Sequence, residues 1–413
     1  MILYIDPGTG SMLFTILIGI LGVMRYLMKT WWVKLRFWAT GGVKRESSEN
    51  KYPLVIFSDD KRYWNVFEPV CRKLSEAGFP VMYLTASEDD AALSVTLPHF
   101  KAEWIGHGNR GFSKLNFLKA YIVLATTPGL DVLQWKRSPE VDWYVHLPHM
   151  PTDLTLYRMF GLDYYDAVLV SGAYQEAQVR ELETLRNLPS KEISSVGIPY
   201  MDEMKKRLDA APALPAHPRT VLLAPSWGPS SILNTFGERF LDLLLETNCH
   251  IIIRPHPQSF TSEMPLLEKL MKKYPKSERL EWNRDTDNFD VLRKSDIMIS
   301  DFSGVMFEFA LIYDKPIIYT DTHFDSSPYD AWWLDSEIWT FRVLPQIGRK
   351  LSEEDLPHIG EVIEDCISSD DFVGGRRKAR EECWVNRGHG AEHVAAYLMK
   401  KYEALKEKES REG

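Results

Sequence analysis

The sequence has few cysteines and lacks the phosphate-binding loop of common nucleotide-hydrolysing enzymes. Its 413 residues include four cysteines, Cys71, Cys249, Cys366 and Cys383, which lie far apart and form no Cys-x-x-Cys pair. That spacing predicts reduced, structural thiols, as is usual in the cytosol, and no zinc or disulfide role. No Gly-x-x-x-x-Gly-Lys-[Ser/Thr] segment occurs, so the sequence gives no sign of a P-loop nucleotide site.

Positive charge and metal-ligand spacing are also scarce. The chain has 49 Lys and Arg against 58 Asp and Glu, a net charge of -9, which argues against a general nucleic-acid binder. The acidic residues Asp285, Asp287 and Asp290 have no metal-ligand spacing and are interpreted as loop and helix-start residues. We therefore predict no bound cofactor and no nucleic-acid partner, and leave a divalent metal requirement open.

The first 45 residues predict a membrane anchor. The segment 11–24 carries no charge, and the longer segment 9–28 reaches the roughly 20 residues that a spanning helix needs, with one arginine near its end. Tryptophans and basic residues follow, as at a cytoplasmic membrane boundary. We predict an anchor and basic juxtamembrane segment at 1–45 with the body in the cytoplasm, at the plasma membrane. The alternative is a buried helix of a soluble core.

Beyond this segment, short apolar runs alternate with helical patterns, which predicts parallel sheets covered on both faces. The first series spans 50–206. The proline-rich stretch 207–219 has the composition of a connector between domains. A second series spans 220–405 and includes a predicted closing helix at 393–405. We predict an α/β protein with two nucleotide-binding-like domains, whose ligands lie at the carboxyl ends of the strands.

The stretch Ser295–Thr320 predicts a strand, a polar turn, a helix and a second strand. Ser303 and Gly304 lie in the turn, where a hydroxyl and backbone N–H groups at a helix N-terminus suit a phosphate. A serine in this position more often caps the helix. Asp301 either fixes the turn or orients a neighbouring histidine. Glu308, one helical turn further on, is a candidate acceptor of hydrogen bonds from a ribose or another polyol.

Three further loops directly follow predicted strands. In one, Arg254 and His256 are two residues apart and flanked by Pro255 and Pro257, so that an extended backbone points both side chains to one side. A guanidinium beside an imidazole offers donors to phosphate oxygens. The alternative is an arginine that pairs with a carboxylate. The second of these loops contains Ser226 and Trp227.

The third loop contains His149, between two prolines and four residues before Asp153. An imidazole there is a candidate general base, because its ordinary pKa lies near neutrality. The alternative is a histidine that satisfies local backbone groups. His146 is expected to face the interior of the sheet.

These motifs resemble the CDP-glycerol glycerophosphotransferase family of wall teichoic acid synthesis. The resemblance rests on the Arg-Pro-His-Pro motif at 254–257, the segment 295–310 and the Lys-Pro-Ile-Ile-Tyr segment at 315–319. It extends to 224–227 and, more loosely, to the loop around His149, so that it spans roughly 141–319. It implies a GT-B fold, membrane association and transfer of a polyol phosphate from a CDP-activated donor to a lipid-linked acceptor.

The resemblance also implies roles for individual residues. His149 is the expected base for the acceptor hydroxyl, and His256 assists the departure of CMP. Arg254 holds the pyrophosphate, and Glu308 reaches the polyol or ribose. The remaining expected donor-site residues are Met150, Pro151, Thr152, Asp153, Ser226, Trp227, Pro255, Ser303 and Gly304.

The chain departs from the family pattern at three places. The family usually has Trp-His-Gly-Thr-Pro where this chain has Leu-Pro-His-Met-Pro at 147–151, and paired serines where this chain has Ser303-Gly304. It often has an arginine after the proline, where this chain has Tyr200. CDP-ribitol or another CDP-polyol is therefore an alternative donor to CDP-glycerol. A GT-B glycosyltransferase using a nucleotide-sugar and a non-catalytic membrane-anchored binder of envelope polymer precursors are the alternative functions.

Overall fold

Two parallel sheets, one from each predicted half of the chain, form the framework of the protein. The computed structural model describes residues 51–132, 134–320 and 324–412. The predicted anchor at 1–45 and its hydrophobic helix lie outside these residues. In the described part of the chain, no helix has the length and apolar character needed to cross a membrane.

The first sheet has seven strands, all parallel, in the order β3-β2-β1-β4-β5-β6-β7. They are β1 Tyr52–Ser58, β2 Val81–Thr85, β3 Phe100–Trp104, β4 Ala120–Ala125, β5 Val141–His146, β6 Ala167–Val170 and β7 Glu192–Ser195. The second has six parallel strands in the order β10-β9-β8-β11-β12-β13. They are β8 Thr220–Leu223, β9 His250–Ile253, β10 Leu280–Trp282, β11 Ile297–Ser300, β12 Ile317–Thr320 and β13 Gly348–Leu351.

Helices cover both faces of each sheet. They are α1 Trp64–Glu76, α2 Asn109–Leu115, α3 Ala173–Arg186, α4 Pro199–Ala210, α5 Ile232–Thr235, α6 Gly237–Glu246, α7 Ser259–Ser262, α8 Met264–Lys273, α9 Phe289–Lys294, α10 Val305–Ile312, α11 Trp339–Ile347, α12 Ile359–Ser368, α13 Val373–Cys383 and α14 Gly390–Glu412. The four cysteines are buried free thiols.

The order of strands places a switch point in each sheet. Chain direction across the sheet reverses between β1 and β4, and again between β8 and β11. Crevices outside the carboxyl ends of strands at such points are where open α/β sheets bind ligands. The strands that flank both switch points are almost fully buried, because each is an apolar run covered on two faces. The fold thus gives two ligand-binding edges.

The last helix corrects the predicted boundary of the second domain. The apolar stripe of 393–405 is present in α14, but Val394 and Leu398 pack with Leu54 and Ile56 in the core of the first sheet. The stripe indicated a buried face without indicating which sheet would bury it. The predicted connector also begins later than expected, because α4 continues to Ala210 and only 211–219 is non-helical.

Candidate active site

A cavity of about 850 Å³ takes its walls from both domains, at loops that follow the strands of the two switch points. Ligand pockets of roughly 300–1,000 Å³ are typical for nucleotide-sized molecules. The predicted residues that line the cavity are His149, Met150, Ser226, Trp227, Arg254, Pro255, His256, Ser303, Gly304 and Glu308. The cavity therefore unites both predicted histidines with most of the predicted binding residues.

His149 enters the cavity from the first domain, in the loop after β5. Its Nδ1 lies 3.0 Å from the hydroxyl oxygen of Thr126, which follows β4. Burial, followed by the positive charge of Arg62 and the neighbouring His256, lowers the pKa of His149 to about 4. The ring is therefore neutral at pH 7. In the tautomer whose Nδ1–H donates to Thr126, Nε2 is available to accept a proton.

His256 faces the cavity from the second domain. Its Nδ1 accepts a hydrogen bond of 3.1 Å from the backbone N–H of Gln258, so the neutral ring carries its proton on Nε2. Burial, followed by the charge of Arg62, lowers its pKa to about 4. At neutral pH, His256 is consequently a hydrogen-bond donor and not a base. The two histidines have complementary protonation patterns.

Arg254 carries a charge that no carboxylate neutralises directly. Its Nη1 donates to the side-chain oxygen of Asn283, and the Asn283 amide donates in turn to Asp285 at 2.7 Å. In the residues that the structure describes, Arg254 forms no ion pair; a neutral amide takes the place of the carboxylate that a purely structural arginine would need. The guanidinium is held in position with charge to offer to an anion.

The turn before α10 leaves donors for a ligand. Helix α10 has no side-chain cap, so the Ser303 hydroxyl does not perform the capping role that was the more frequent alternative. Asp301 holds the turn in place. Its carboxylate accepts hydrogen bonds from the backbone N–H groups of Phe302, Ser226 and Ile232 at 2.7, 2.9 and 3.0 Å. Asp301 therefore fixes the turn and does not orient His256. An uncapped helix N-terminus is a favourable place for a phosphate.

Glu308 is buried at the inner end of the cavity, where an exposed glutamate would be the usual case. Its Oε2 accepts hydrogen bonds from the Tyr200 hydroxyl at 3.1 Å and the Asn288 amide at 2.8 Å. Burial raises the pKa of Glu308 to about 7, against the opposing effects of these bonds and of Arg254. The carboxyl group therefore gains or loses its proton near physiological pH.

We expect Glu308→Gln to change the pH dependence of stability. The folded protein keeps the Glu308 proton up to about pH 7, whereas the unfolded chain releases it near its ordinary pKa of 4.5. The resulting stabilisation is fully present below pH 4.5 and is lost as the pH rises through 7. Relative to Glu308→Gln, the wild-type free energy of unfolding should fall by about 3 kcal/mol between pH 4.5 and 8. Chemical denaturation at several pH values measures this difference.

The exposed Glu268 supplies the matched control, since Glu268→Gln makes the same chemical change away from the cavity. Its unfolding free energies should follow those of the wild type at every pH. Parallel pH curves for wild type and Glu308→Gln would contradict the raised pKa of Glu308.

Comparison with known proteins supports the relation suggested by the motifs. Residues 161–331 match the model of a family described as CDP-Glycerol:Poly(glycerophosphate) glycerophosphotransferase. The predicted resemblance to this family is confirmed. The matched segment contains Arg254, His256, Ser303 and Glu308 but begins after His149, so the position of His149 rests on the geometry of the cavity.

A curated relative extends this finding over a limited part of the chain. The teichoic acid glycerol-phosphate primase of Bacillus spizizenii is 30% identical over 136 residues, which cover 30% of this chain and 32% of the primase. The chain thus matches about a third of the length of this relative. The alignment relates the protein to an enzyme family, as its motifs predicted.

Solved structures resemble the fold over most of the chain. The wall teichoic acid polymerase TagF, soaked with CDPG, is 13% identical, with 87% of this chain and 91% of that chain covered and a TM-score of 0.55. MnaA of S. aureus with UDP is also 13% identical, with 84% and 96% covered and a TM-score of 0.55. At this identity the likeness concerns the fold alone, and it confirms the two parallel-sheet α/β domains of GT-B type.

Three residues predicted to bind the donor, Pro151, Thr152 and Asp153, do not line the cavity. The Pro151 and Thr152 carbonyls accept hydrogen bonds from Tyr174 at 2.7 Å and Gln175 at 2.9 Å, both in α3. Asp153 is 1% exposed, and both its oxygens accept hydrogen bonds from the start of α11. These contacts anchor the loop that presents His149, and a role of the three residues in donor binding stays a prediction.

Sequence reasoning missed the part of the wall that follows β1, residues 59–66. Thr126 and Asn288 were missed as well. The signal for 59–66 was present, because polar residues follow the first strand directly at what proves to be a switch point. A Gly-x-Gly-x-x-Gly segment at 106–111 was also overlooked. It joins the edge strand β3 to α2 and does not line the cavity.

A second cavity, of about 960 Å³, lies beside the end of α4 and is lined by Asp202, Lys206, Tyr313 and Arg387. It contains none of the predicted site residues. In the described residues, no group of three or more His, Cys, Asp or Glu side chains is placed to hold a metal ion.

Proposed function

We propose that the protein is a glycerophosphotransferase of teichoic acid synthesis, which moves glycerol phosphate from CDP-glycerol to an acceptor hydroxyl and releases CMP. The observation that carries this proposal is the placement of His149 and His256. They come from different domains and line one cavity. The His149 tautomer that donates Nδ1–H to Thr126 would complement His256, whose Nδ1 accepts a hydrogen bond from Gln258. The match of residues 161–331 to the family supports the choice of donor.

The reaction is a substitution at the donor's β-phosphorus. A bond forms between the acceptor oxygen and phosphorus, while the bond from phosphorus to the CMP oxygen breaks. The acceptor proton passes to Nε2 of His149. The Nε2–H of His256 donates a hydrogen bond to the departing CMP, whose charge Arg254 and the Ser303 turn also stabilise. Phosphoryl transfer depends mainly on such positioning and charge stabilisation.

The donor site belongs to the second domain. Arg254 and the uncapped start of α10 hold the diphosphate, and Ser226, Trp227 and Pro255 form the adjoining wall. Glu308, with Tyr200 and Asn288, forms a polar end suited to the hydroxyl groups of a ribose or polyol. Met150 and Gly304 meet across the cavity, where a Cβ on Gly304 would lie 2.6 Å from the Met150 sulfur. This contact limits the room beside the diphosphate and favours the smaller polyol, glycerol.

We further propose a lipid-linked acceptor and a position at the plasma membrane with the catalytic body in the cytoplasm. The apolar segment 9–28 and the tryptophans and basic residues after it support this proposal.

A donor screen tests the function. CDP-glycerol, CDP-ribitol and a UDP-sugar are each added to the full chain, and the unfolding temperature is recorded. A ligand at 100 times its Kd should stabilise the protein by about 2.7 kcal/mol. We expect the largest stabilisation with CDP-glycerol, and CMP release when a lipid-linked glycerol phosphate acceptor is also present.

Each other outcome identifies a different function. Preference for CDP-ribitol would retain the reaction and change the polyol. Stabilisation by the UDP-sugar alone would point to a glycosyltransferase. Binding of CDP-glycerol without CMP release in the presence of acceptor would point to a non-catalytic binder.

A further inference from the structure

The wall that the first domain contributes to the cavity contains an arginine outside all the predicted site residues. Arg62 lies in the 3-10 turn Lys61–Tyr63, directly after β1. The carboxyl end of β1 is one side of the switch point in the first sheet. Arg62 also lies outside the segment 161–331 that matches the family. Neither motif nor comparison assigns it a role.

Asp60 holds the Arg62 guanidinium in one orientation. Nε of Arg62 donates to Oδ1 of Asp60 at 2.8 Å, and Nη2 donates to Oδ2 at 3.1 Å. The backbone N–H of Arg62 donates to the same carboxylate at 2.9 Å, so Asp60 caps the turn and fixes the side chain together. Within the described chain, Nη1 of Arg62 has no hydrogen-bond partner. A guanidinium fixed along one edge with a donor to spare is preorganised for a phosphate oxygen.

The Arg62 guanidinium belongs to the lining of the cavity that both histidines share. Its charge lowers the pKa of His149 and of His256, and among the charged groups it has the largest effect on each. The next residue, Tyr63, places its ring 5.0 Å from the His149 ring. The carboxylates on the same loop, Asp59 and Asp60, are bound to Thr127 and to Arg62 itself. Arg62 is therefore a cation that the first domain contributes to the cavity lined by both imidazoles.

We propose that Arg62 is a third catalytic residue, whose guanidinium binds the nonbridging oxygens of the phosphoryl group during transfer. This inference rests on the proposed function. In an in-line substitution the entering and leaving oxygens lie on opposite sides of phosphorus, and the other oxygens point sideways. His149 and His256 serve the two opposite sides. A donor close to both rings therefore meets the sideways oxygens, and Arg62 keeps all its protons throughout the reaction.

The division between domains predicts which kinetic constant responds. Arg254 and the start of α10, in the second domain, hold the donor before reaction. Arg62 belongs to the first domain and serves the group that moves. Interactions made mainly in the transition state raise kcat, whereas uniform binding lowers KM. Loss of Arg62 should consequently reduce kcat far more than it raises the KM for CDP-glycerol.

The test compares Arg62→Gln and Arg62→Lys with the control Arg72→Gln. Arg72 lies in α1 and pairs with Glu68 on an exposed surface, so the control removes the same charge from the same domain. With CDP-glycerol as donor, we expect kcat of Arg62→Gln to fall by about 10³-fold, with KM within about threefold of wild type. The kcat of Arg62→Lys should lie between those of the wild type and Arg62→Gln, and the kcat of Arg72→Gln should match that of the wild type.

Two results would overturn the proposal. One is a kcat of Arg62→Gln within threefold of wild type. The other is a loss of activity in Arg62→Gln matched by an equal loss of folded protein, which thermal unfolding would show.

A second measurement separates this proposal from the proposed function. Proton NMR titration gives the pKa of His149 and His256, assigned through His149→Gln and His256→Gln. Both should rise in Arg62→Gln and stay unchanged in Arg72→Gln. If the wild type transfers no glycerol phosphate, the proposed function fails, yet a rise of both histidine pKa values in Arg62→Gln would retain the guanidinium as a charge beside both rings. Unchanged pKa values of both histidines would remove Arg62 from the site.

Discussion

Replacement of His149 by alanine is expected to lower kcat for glycerol phosphate transfer by about 10²- to 10⁴-fold, the usual contribution of a general base. The fold should persist, because the side chain is only half-buried and its one hydrogen bond is to Thr126. His256→Ala should cause a loss of similar size by a different route, since it removes a donor to the leaving group. CMP release from CDP-glycerol with saturating acceptor measures both.

The pH dependence distinguishes the two histidines. A base acts in its unprotonated form, so activity rises with pH through its pKa. With a pKa of about 4 for His149, kcat/KM of the free enzyme should decline only below about pH 5. The bound diphosphate favours the imidazolium, so the corresponding decline in kcat should lie at higher pH. His256 donates its Nε2–H over the same range, and His256→Gln should leave the acid limb of kcat/KM in place.

An exposed histidine outside the cavity serves as control. His358 is exposed and lies 3.8 Å from Glu361, and His358→Ala should keep wild-type activity. Near-normal turnover in His149→Ala or His256→Ala would contradict the mechanism. An unfolding temperature well below that of wild type in either variant would instead assign that histidine a structural role.

The buried strands of both sheets could be predicted because each is an apolar run that ends in a polar turn. Ile297–Ser300 and His250–Ile253 are two examples of such runs. The strands β3, β10 and β13 were missed. They lie at sheet edges, where one side is solvated and charged residues such as those of Gly348–Leu351 replace the apolar run. A local sequence pattern therefore predicts a strand that is buried on both faces better than a strand that is buried on one face.

The second-domain half of the site could also be predicted, since Arg254, His256, Ser303 and Glu308 lie in short motifs. The opposite wall was not predicted. Polar residues at 59–66 follow the first strand, but only the order of strands brings that loop and Thr126 to the same edge of the sheet as His149. The hydrogen bonds of Asp153 could not be predicted for the related reason that its partners, Trp339 and Thr340, are almost 190 residues away in sequence.

Asp153→Ala should be the most destabilising single substitution in the loop that carries His149. The carboxylate accepts the backbone N–H groups of Trp339 and Thr340 at 2.7 and 2.8 Å, the Thr340 hydroxyl at 2.6 Å and the side-chain amide of Gln178. It therefore caps α11 from the other domain, in place of Ile338, which cannot cap it. Because all these donors are buried, we expect Asp153→Ala to lower the free energy of unfolding by about 3–5 kcal/mol.

Asp153→Asn separates the effect of side-chain size from that of charge, because the amide fills the same space. It offers one acceptor oxygen, whereas the N–H groups of Trp339 and Thr340 bind to two oxygens of the carboxylate. Its loss of stability should be smaller than that of Asp153→Ala and still above about 1 kcal/mol. The matched control is Asp142→Asn, at an exposed pair with Lys51, for which a change below about 1 kcal/mol is expected. Thermal unfolding and urea denaturation, followed by tryptophan fluorescence, measure all three.

The same variants decide between an anchor and a ligand contact. If Asp153 bound the donor, Asp153→Asn would raise the KM for CDP-glycerol and leave the unfolding temperature unchanged. If Asp153 anchors the loop 149–153, Asp153→Asn should instead lower the unfolding temperature. It should also reduce kcat, since His149 lies four residues away and depends on that loop for its position. A donor KM close to that of wild type, together with a lower unfolding temperature, would establish Asp153 as a structural contact between the two domains beside the catalytic histidine.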